Sequence, residues 1–134
     1  MLRLEEAVFG VEGILPFKFY RMLVECSPKT RIEDASVFFS QLRIIKSYEE
    51  RKRMEKAASI VAEGIKAGID FTKPAVSELA ISFQIEKTIK ENGGESVPFS
   101  IVLSGSNSAL PHGETSNMKV RKEDIVLMDI GAVY

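Results

Sequence analysis

The sequence has one cysteine, Cys26, one histidine, His112, and no tryptophan among its 134 residues. A lone thiol excludes an internal disulfide framework. A lone imidazole excludes any site that draws two histidines from this chain. An excess of one charge is also missing, since 18 Lys and Arg stand against 19 Asp and Glu, a formal net charge of −1. That balance excludes a generally basic binder of nucleic acid or membrane surfaces. Uninterrupted apolar runs reach only a few residues, far short of the roughly 20 that span a bilayer. Met1-Leu2-Arg3-Leu4-Glu5-Glu6 has no apolar stretch after its basic residue and does not read as a secretory signal. The expectation is a cytoplasmic protein with neither a nucleic-acid nor a membrane partner. Side-chain amides are scarce too. Five Asn and Gln against 26 Glu and Lys is a balance that leans toward thermophile usage.

What is present is ordinary for a globular chain: 45% hydrophobic and 28% charged residues. At about 150 residues per domain, the length corresponds to one domain, large enough to bury roughly two-thirds of its unfolded surface. Local patterns then divide the chain. Ala7 to Val11 reads as a short strand. Pro16 suits a helix start, where its missing N–H is not needed, and Phe17, Tyr20, Met22, Leu23 and Val24 give that helix a broad apolar face until Ser27-Pro28 stops it. Cys26 falls on this helix and is expected to be a small buried residue without chemistry. Thr30 to Val37 reads as a second strand, and Phe38, Phe39, Leu42 and Ile45 have helical spacing.

Ser47-Tyr48-Glu49-Glu50 is a capping box, with a hydroxyl at the cap and a carboxylate three residues on. The helix after it places Met54, Ala57, Ala58, Val61 and Ile65 on one face, with Gly68 as its expected end. Ser77 caps a further helix to about Asn92, with Leu79, Ala80, Phe83 and Ile89 toward its buried side, and Gly93-Gly94 ends it. Phe99 to Leu103 and Ile125 to Ile130 are apolar runs that read as strands, separated by a polar loop. Arg43, Lys46, Arg51, Lys52, Arg53 and Lys56 form a basic cluster, but Glu49, Glu50 and Glu55 interleave with it, so it reads as a solvated, ion-paired helix face.

Two segments carry possible chemistry. In Ser104-Gly105-Ser106-Asn107-Ser108-Ala109-Leu110-Pro111-His112-Gly113, small residues allow close backbone approach and proline precedes the histidine. Such a loop can present an imidazole to a substrate carbonyl, exchanging a proton near neutral pH, or His112 is a surface residue with no role. In Asp124-Ile125-Val126-Leu127-Met128-Asp129-Ile130-Gly131-Ala132, Asp129 lies inside an apolar strand. A carboxylate buried there needs a partner: a metal, a buried Lys or Arg, or a neighbouring turn. Asp124 reads as a turn residue entering the strand.

Taken in order, these segments resemble the Xaa-Pro dipeptidase (prolidase) and aminopeptidase P family of pita-bread metallopeptidases. Leu42-Arg43-Ile44-Ile45-Lys46-Ser47 with Glu49-Glu50 resembles the start of that family's catalytic domain. Ser77-Glu78-Leu79-Ala80, Pro98-Phe99, Ile101-Val102-Leu103, Ser104 to Ala109, Pro111-His112-Gly113 and Asp129 to Tyr134 follow in the family's order and spacing. The Pro-His-Gly context favours the Xaa-Pro branch over methionine aminopeptidases, which share the fold. The resemblance implies an α+β chain. Residues 1–36 are the strand–helix–strand end of an N-terminal, creatinase-like domain, and residues 37–134 are the first half of a pita-bread domain with helices packed on an antiparallel sheet.

The chemistry so implied is hydrolysis of the peptide bond before proline by two divalent ions, manganese or cobalt, which bridge and deprotonate a water and polarise the scissile carbonyl. The family's ligands are two aspartates, a histidine and two glutamates. Asp129 matches the first aspartate, and His112 matches a different histidine that contacts substrate near the scissile bond. With one of five ligands, the chain is expected to be inactive alone and to hold no ions stably. The stretch from Ile125 to Tyr134 reads like the middle of a protein, so the chain looks like a fragment. The expectations are a piece of an Xaa-Pro dipeptidase that works with its missing C-terminal half, or a non-catalytic interaction module. In either case strands 99–103 and 125–130 would leave apolar faces and open edges that favour a homodimer.

Overall fold

The structure, a computed structural model, describes residues 7–134, so Met1–Glu6 and the reading placed on that segment lie outside the described residues. The chain divides into two compact units, Met1–Ser47 and Tyr48–Tyr134.

In the first unit, β1 (Val8–Val11) and β2 (Arg31–Asp34) pair in parallel, in register from Val8 opposite Arg31 to Val11 opposite Asp34. Helix α1 (Phe17–Cys26) makes the crossover that parallel pairing demands. Pro16 precedes its first turn, and the Ser27 N–H closes its last by bonding the Leu23 carbonyl at 3.0 Å. The second strand is shorter than the expected Thr30–Val37. Asp34 Oδ1 accepts both the Ser36 N–H, at 2.8 Å, and its hydroxyl, at 2.5 Å, which turns the chain into α2 (Ser36–Ile44). Cys26 is exposed, not buried as its helical position suggested, because it sits in the last turn of a helix that has no fully buried residue.

The second unit opens with α3 (Tyr48–Phe71), followed by α4 (Glu78–Glu91), β3 (Ser96–Ser104), a 3-10 turn (Gly105–Ala109) and β4 (Val126–Val133). The buried stripe of α3 is Ile60, Gly64 and Gly68, while Met54 stays 56% exposed. These three lie four residues apart, one above another on a helix. A Cβ on Gly64 would come within 2.7 Å of Ile89 Cγ1, and one on Gly68 within 2.6 Å of Ile85 Cγ1. The glycines therefore form the groove into which α4 packs. Gly68 does not end the helix, which runs on to Phe71, where Thr72 bonds the Gly68 carbonyl through its N–H at 3.0 Å and its hydroxyl at 2.7 Å.

Ser77 caps α4 as expected, its Oγ accepting the Ala80 N–H at 3.2 Å. The buried side is Glu78, Ile81, Ser82, Ile85 and Ile89. Leu79 and Phe83, expected on that side, are 44% and 69% exposed. Gly93, at φ +92°, and the Gly94 N–H, bonded to the Ile89 carbonyl at 2.9 Å, close the helix C-terminus.

Strands β3 and β4 pair antiparallel, from Ser104 opposite Val126 to Ser96 opposite Val133. The register shifts between Ser96 and Phe99, where Pro98 has no N–H for the ladder. β3 extends beyond its apolar run at both ends, and β4 starts one residue inside its run and continues past it to Val133, because pairing and not apolarity sets their ends. Side chains alternate across the pleat. Val102, Met128 and Ile130 pack with Ile60, Ile81, Ile85 and Ile89 in the core. Ile101, Leu103, Leu127 and Asp129 take the opposite face. The second unit is thus α+β, with helices on one face of an antiparallel pair.

Candidate functional site

On the face of the sheet away from the helices, a cavity of about 440 Å³ is lined by Ile101, Leu103, Leu127 and Asp129 from the strands and by residues 108–113 of the loop. Gly105, at φ +52°, takes the chain out of β3 in a conformation that side chains rarely adopt. Gly113 brings the loop backbone down on the sheet, since a Cβ there would lie 2.7 Å from Leu103 Cδ1. Leu110 N–H bonds the Asn107 carbonyl at 3.0 Å, and Ser108 Oγ donates to the Gly105 carbonyl at 2.7 Å. Pro111 and His112 follow this short folded stretch, so the imidazole and Asp129 line the same cavity.

Asp129 sits opposite Ile101 in the ladder and is exposed. The expectation of a buried carboxylate that must find a partner is corrected. Period-two alternation turns Asp129 away from the core, into the lining of the cavity, where it stays exposed. His112 is exposed as well.

The buried carboxylate is Glu78, at 0% exposure, a residue to which the family resemblance, through Ser77-Glu78-Leu79-Ala80, assigns no role. It stands at the first position of α4, three and seven residues before Ile81 and Ile85, so helical periodicity alone puts it on the buried stripe. Its Oε1 accepts the Ser104 N–H at 2.6 Å, the Ser104 hydroxyl at 2.9 Å and the Asn107 amide at 3.3 Å. Its Oε2 accepts the Ser116 N–H at 3.0 Å and hydroxyl at 2.7 Å. Burial pushes the Glu78 pKa up, but the hydrogen bonds from Ser116 and Ser104 outweigh it and hold the carboxyl below the usual glutamate value. In return, the first turn of α4 donates its Glu78 and Leu79 N–H groups to the Met118 and Ser116 carbonyls, at 3.0 and 3.1 Å.

The cavity's polar groups do not by themselves make up a centre for two divalent ions. Asp129 is the only carboxylate in its lining, His112 the only imidazole, and every other lining side chain but Ser108 is apolar or proline or glycine. Among the described residues, no three His, Cys, Asp or Glu side chains cluster in a metal-binding arrangement. Hard divalent ions take several oxygen donors.

Helices packed on one face of an antiparallel pair, with a strand aspartate and a loop histidine on the other, are the first part of a pita-bread domain, the fold of the prolidases that superpose on this chain. The prolidase from Pyrococcus furiosus superposes with a TM-score of 0.87 at 33% identity, covering 96% of this chain and 41% of that one. The Xaa-Pro dipeptidase from Bacillus anthracis gives 0.83 at 31% identity, covering 96% and 36%. In sequence, the Xaa-Pro dipeptidase of Pyrococcus horikoshii is 33% identical over 126 residues, 93% of this chain and 36% of that protein. The model of metallopeptidase family M24 matches residues 52–134, and the chain belongs to that family. It spans little more than a third of the length of the curated Xaa-Pro dipeptidase it matches.

Proposed function

We propose that this chain supplies one wall of a metal-dependent peptidase site that cleaves the bond before proline in Xaa-Pro dipeptides. The observation that carries the reading is that His112 and Asp129 line one cavity. In this reading Asp129 would hold one of two divalent ions, manganese or cobalt, together with carboxylates from outside this chain, and the ions would supply an activated water for the hydrolysis. His112 meets the substrate beside the scissile bond, its imidazole donating to or accepting from the substrate's polar atoms. The largely apolar lining from Ile101, Leu103 and Leu127 suits a proline ring. The remaining carboxylates and the ligand imidazole come from polypeptide outside these 134 residues, so the chain alone is inactive. Residues 1–36 belong to an N-terminal domain and 37–134 to the catalytic one, of which residues 37–47 lie in the first compact unit, and the protein works in the cytoplasm.

The test uses the purified chain. With Mn²⁺ or Co²⁺ and an Xaa-Pro dipeptide, turnover is expected to equal that of the metal alone; hydrolysis above that background would overturn the assignment of inactivity. Because one carboxylate holds an ion only transiently, Mn²⁺ is added in excess, and it is expected to broaden the amide resonances around Asp129 more in the wild type than in Asp129→Asn. Equal broadening in both would remove Asp129 from the metal site. A second reading, a non-catalytic module that binds a second copy of itself, draws on Phe99, Leu127 and Val133, which stay 45%, 39% and 43% exposed on the strands.

A further inference from the structure

The loop that carries His112 leaves the sheet after Ser104 and rejoins ordered pairing at Ser116 to Lys119. Ser116 and Met118 bond the first turn of α4, and Lys119 bridges Ser77. Both of its stems meet on one side chain. Glu78 Oε1 takes the outgoing stem through Ser104 N–H and Oγ, at 2.6 and 2.9 Å. Glu78 Oε2 takes the returning stem through Ser116 N–H and Oγ, at 3.0 and 2.7 Å. We propose that Glu78 is a positioning residue for His112: by clamping the two stems of its loop, one per carboxylate oxygen, it holds the imidazole over the cavity.

Three features favour this over a merely structural carboxylate. Every bond that Glu78 makes through its side chain goes to the loop or its stems, and none to α3 or β4. The donors are two backbone N–H groups and two hydroxyls, with the Asn107 amide as a fifth. Only an acceptor-only group, a carboxylate, satisfies donors on both of its oxygens. Among the described residues, no other tie of the loop joins both stems. Thr115 Oγ1 accepts the Val102 N–H at 2.8 Å and donates to the Ser100 carbonyl at 3.2 Å, which holds the returning stem, and the Gly105 N–H bonds the Ile125 carbonyl at 2.9 Å, which holds the outgoing one, while Ser108, Leu110 and Gly113 bond within residues 105–113.

The inference rests on His112 facing substrate for its catalytic meaning, but its test reads the ring's position and not turnover. The sequence has one histidine, so its Cε1–H gives a single resonance. In Glu78→Gln the amide must set an N–H against either the Ser104 or the Ser116 N–H. Amide hydrogen exchange at one of these two is expected to rise about tenfold or more, the usual scale for a lost charge-assisted hydrogen bond. The His112 resonance is expected to shift or split, while amides of Ile60 and Ile85 exchange within about twofold of wild type. Ser116→Ala, which removes one hydroxyl donor at a partly exposed position, is expected to move the same two readouts in the same sense by less; it decides the matter if Glu78→Gln does not fold. A His112 resonance unchanged in Ser116→Ala and in any folded Glu78→Gln would overturn the proposal, as would equal acceleration of stem and core amides. A moved ring in Glu78→Gln, with dipeptide binding untouched in His112→Ala, would refute the reading of His112 and leave the positioning role standing.

Discussion

Glu78 is fully buried and carries its charge against a desolvation cost that would normally favour the neutral acid. Five donors reverse that preference. Because its folded pKa lies below the unfolded value of 4.5, the folded state holds fewer protons than the unfolded state between the two. Its contribution to stability is therefore complete above about pH 4.5 and is lost as pH falls through the folded value. Urea unfolding of the wild type is expected to show a midpoint that drops below pH 4.5 more steeply than that of Glu78→Gln. Parallel pH profiles would assign the acid sensitivity to other carboxylates. Asp34 and Glu12 also have lowered values, from the hydrogen bonds of Ser36 and Arg43, but Asp34 is exposed and Glu12 partly exposed, both in the first unit, where solvent screens them. At neutral pH, Glu78→Ala strands two backbone N–H donors at about 1–3 kcal/mol each. A loss of at least about 2 kcal/mol is expected, read as a lower urea midpoint at unchanged slope.

At the scale of elements, the α3–α4 contact is set by what α3 lacks. Ile85 and Ile89 occupy the space that side chains at Gly68 and Gly64 would fill. Replacing Gly68 with alanine gains up to about 1 kcal/mol in helix propensity. Against this, a Cβ 2.6 Å from Ile85 Cγ1 forces overpacking of about 1–3 kcal/mol. Gly68→Ala is expected to lower the melting temperature by several degrees, and an unchanged or raised value would show that the helices separate without cost. The existence and approximate ends of α3 and α4 were legible from capping residues and spacing. Their buried faces were less so. Large apolar side chains pointed to Ile89, which is buried, but also to Met54, Leu79 and Phe83, which are not, whereas the contact is made by glycines receiving Ile85 and Ile89. Asp129 was legible as a strand carboxylate but misjudged as buried, because the sequence does not say which face of the strand meets the helices.

For the whole molecule, the strand pair β3–β4 is the only antiparallel sheet among the described residues. Each strand therefore has one edge without a strand neighbour, and Phe99, Leu127 and Val133 on the strands and Tyr134 just after β4 remain 39–48% exposed. Open edges and apolar side chains of this kind favour association. Sedimentation at about 0.1 mM, well above micromolar affinities, is expected to show a concentration-dependent dimer that Leu127→Glu weakens. A monomer at that concentration would overturn the reading of a self-associating module.

From the sequence alone came the elements and the family: helix caps at Ser77, glycine stops at Gly93, the ordered motifs from Leu42 to Tyr134, and the pairing of His112 with Asp129 as residues of interest. These depend on local backbone preference and on residues whose order survives without a fold. The tertiary structure decided which face each element buries, that Asp129 meets solvent, and that Glu78 joins Ser104 to Ser116 across the 11 residues between them. Those outcomes turn on which side of a strand meets a helix and which distant donors converge on one carboxylate, and neither is encoded in any single segment.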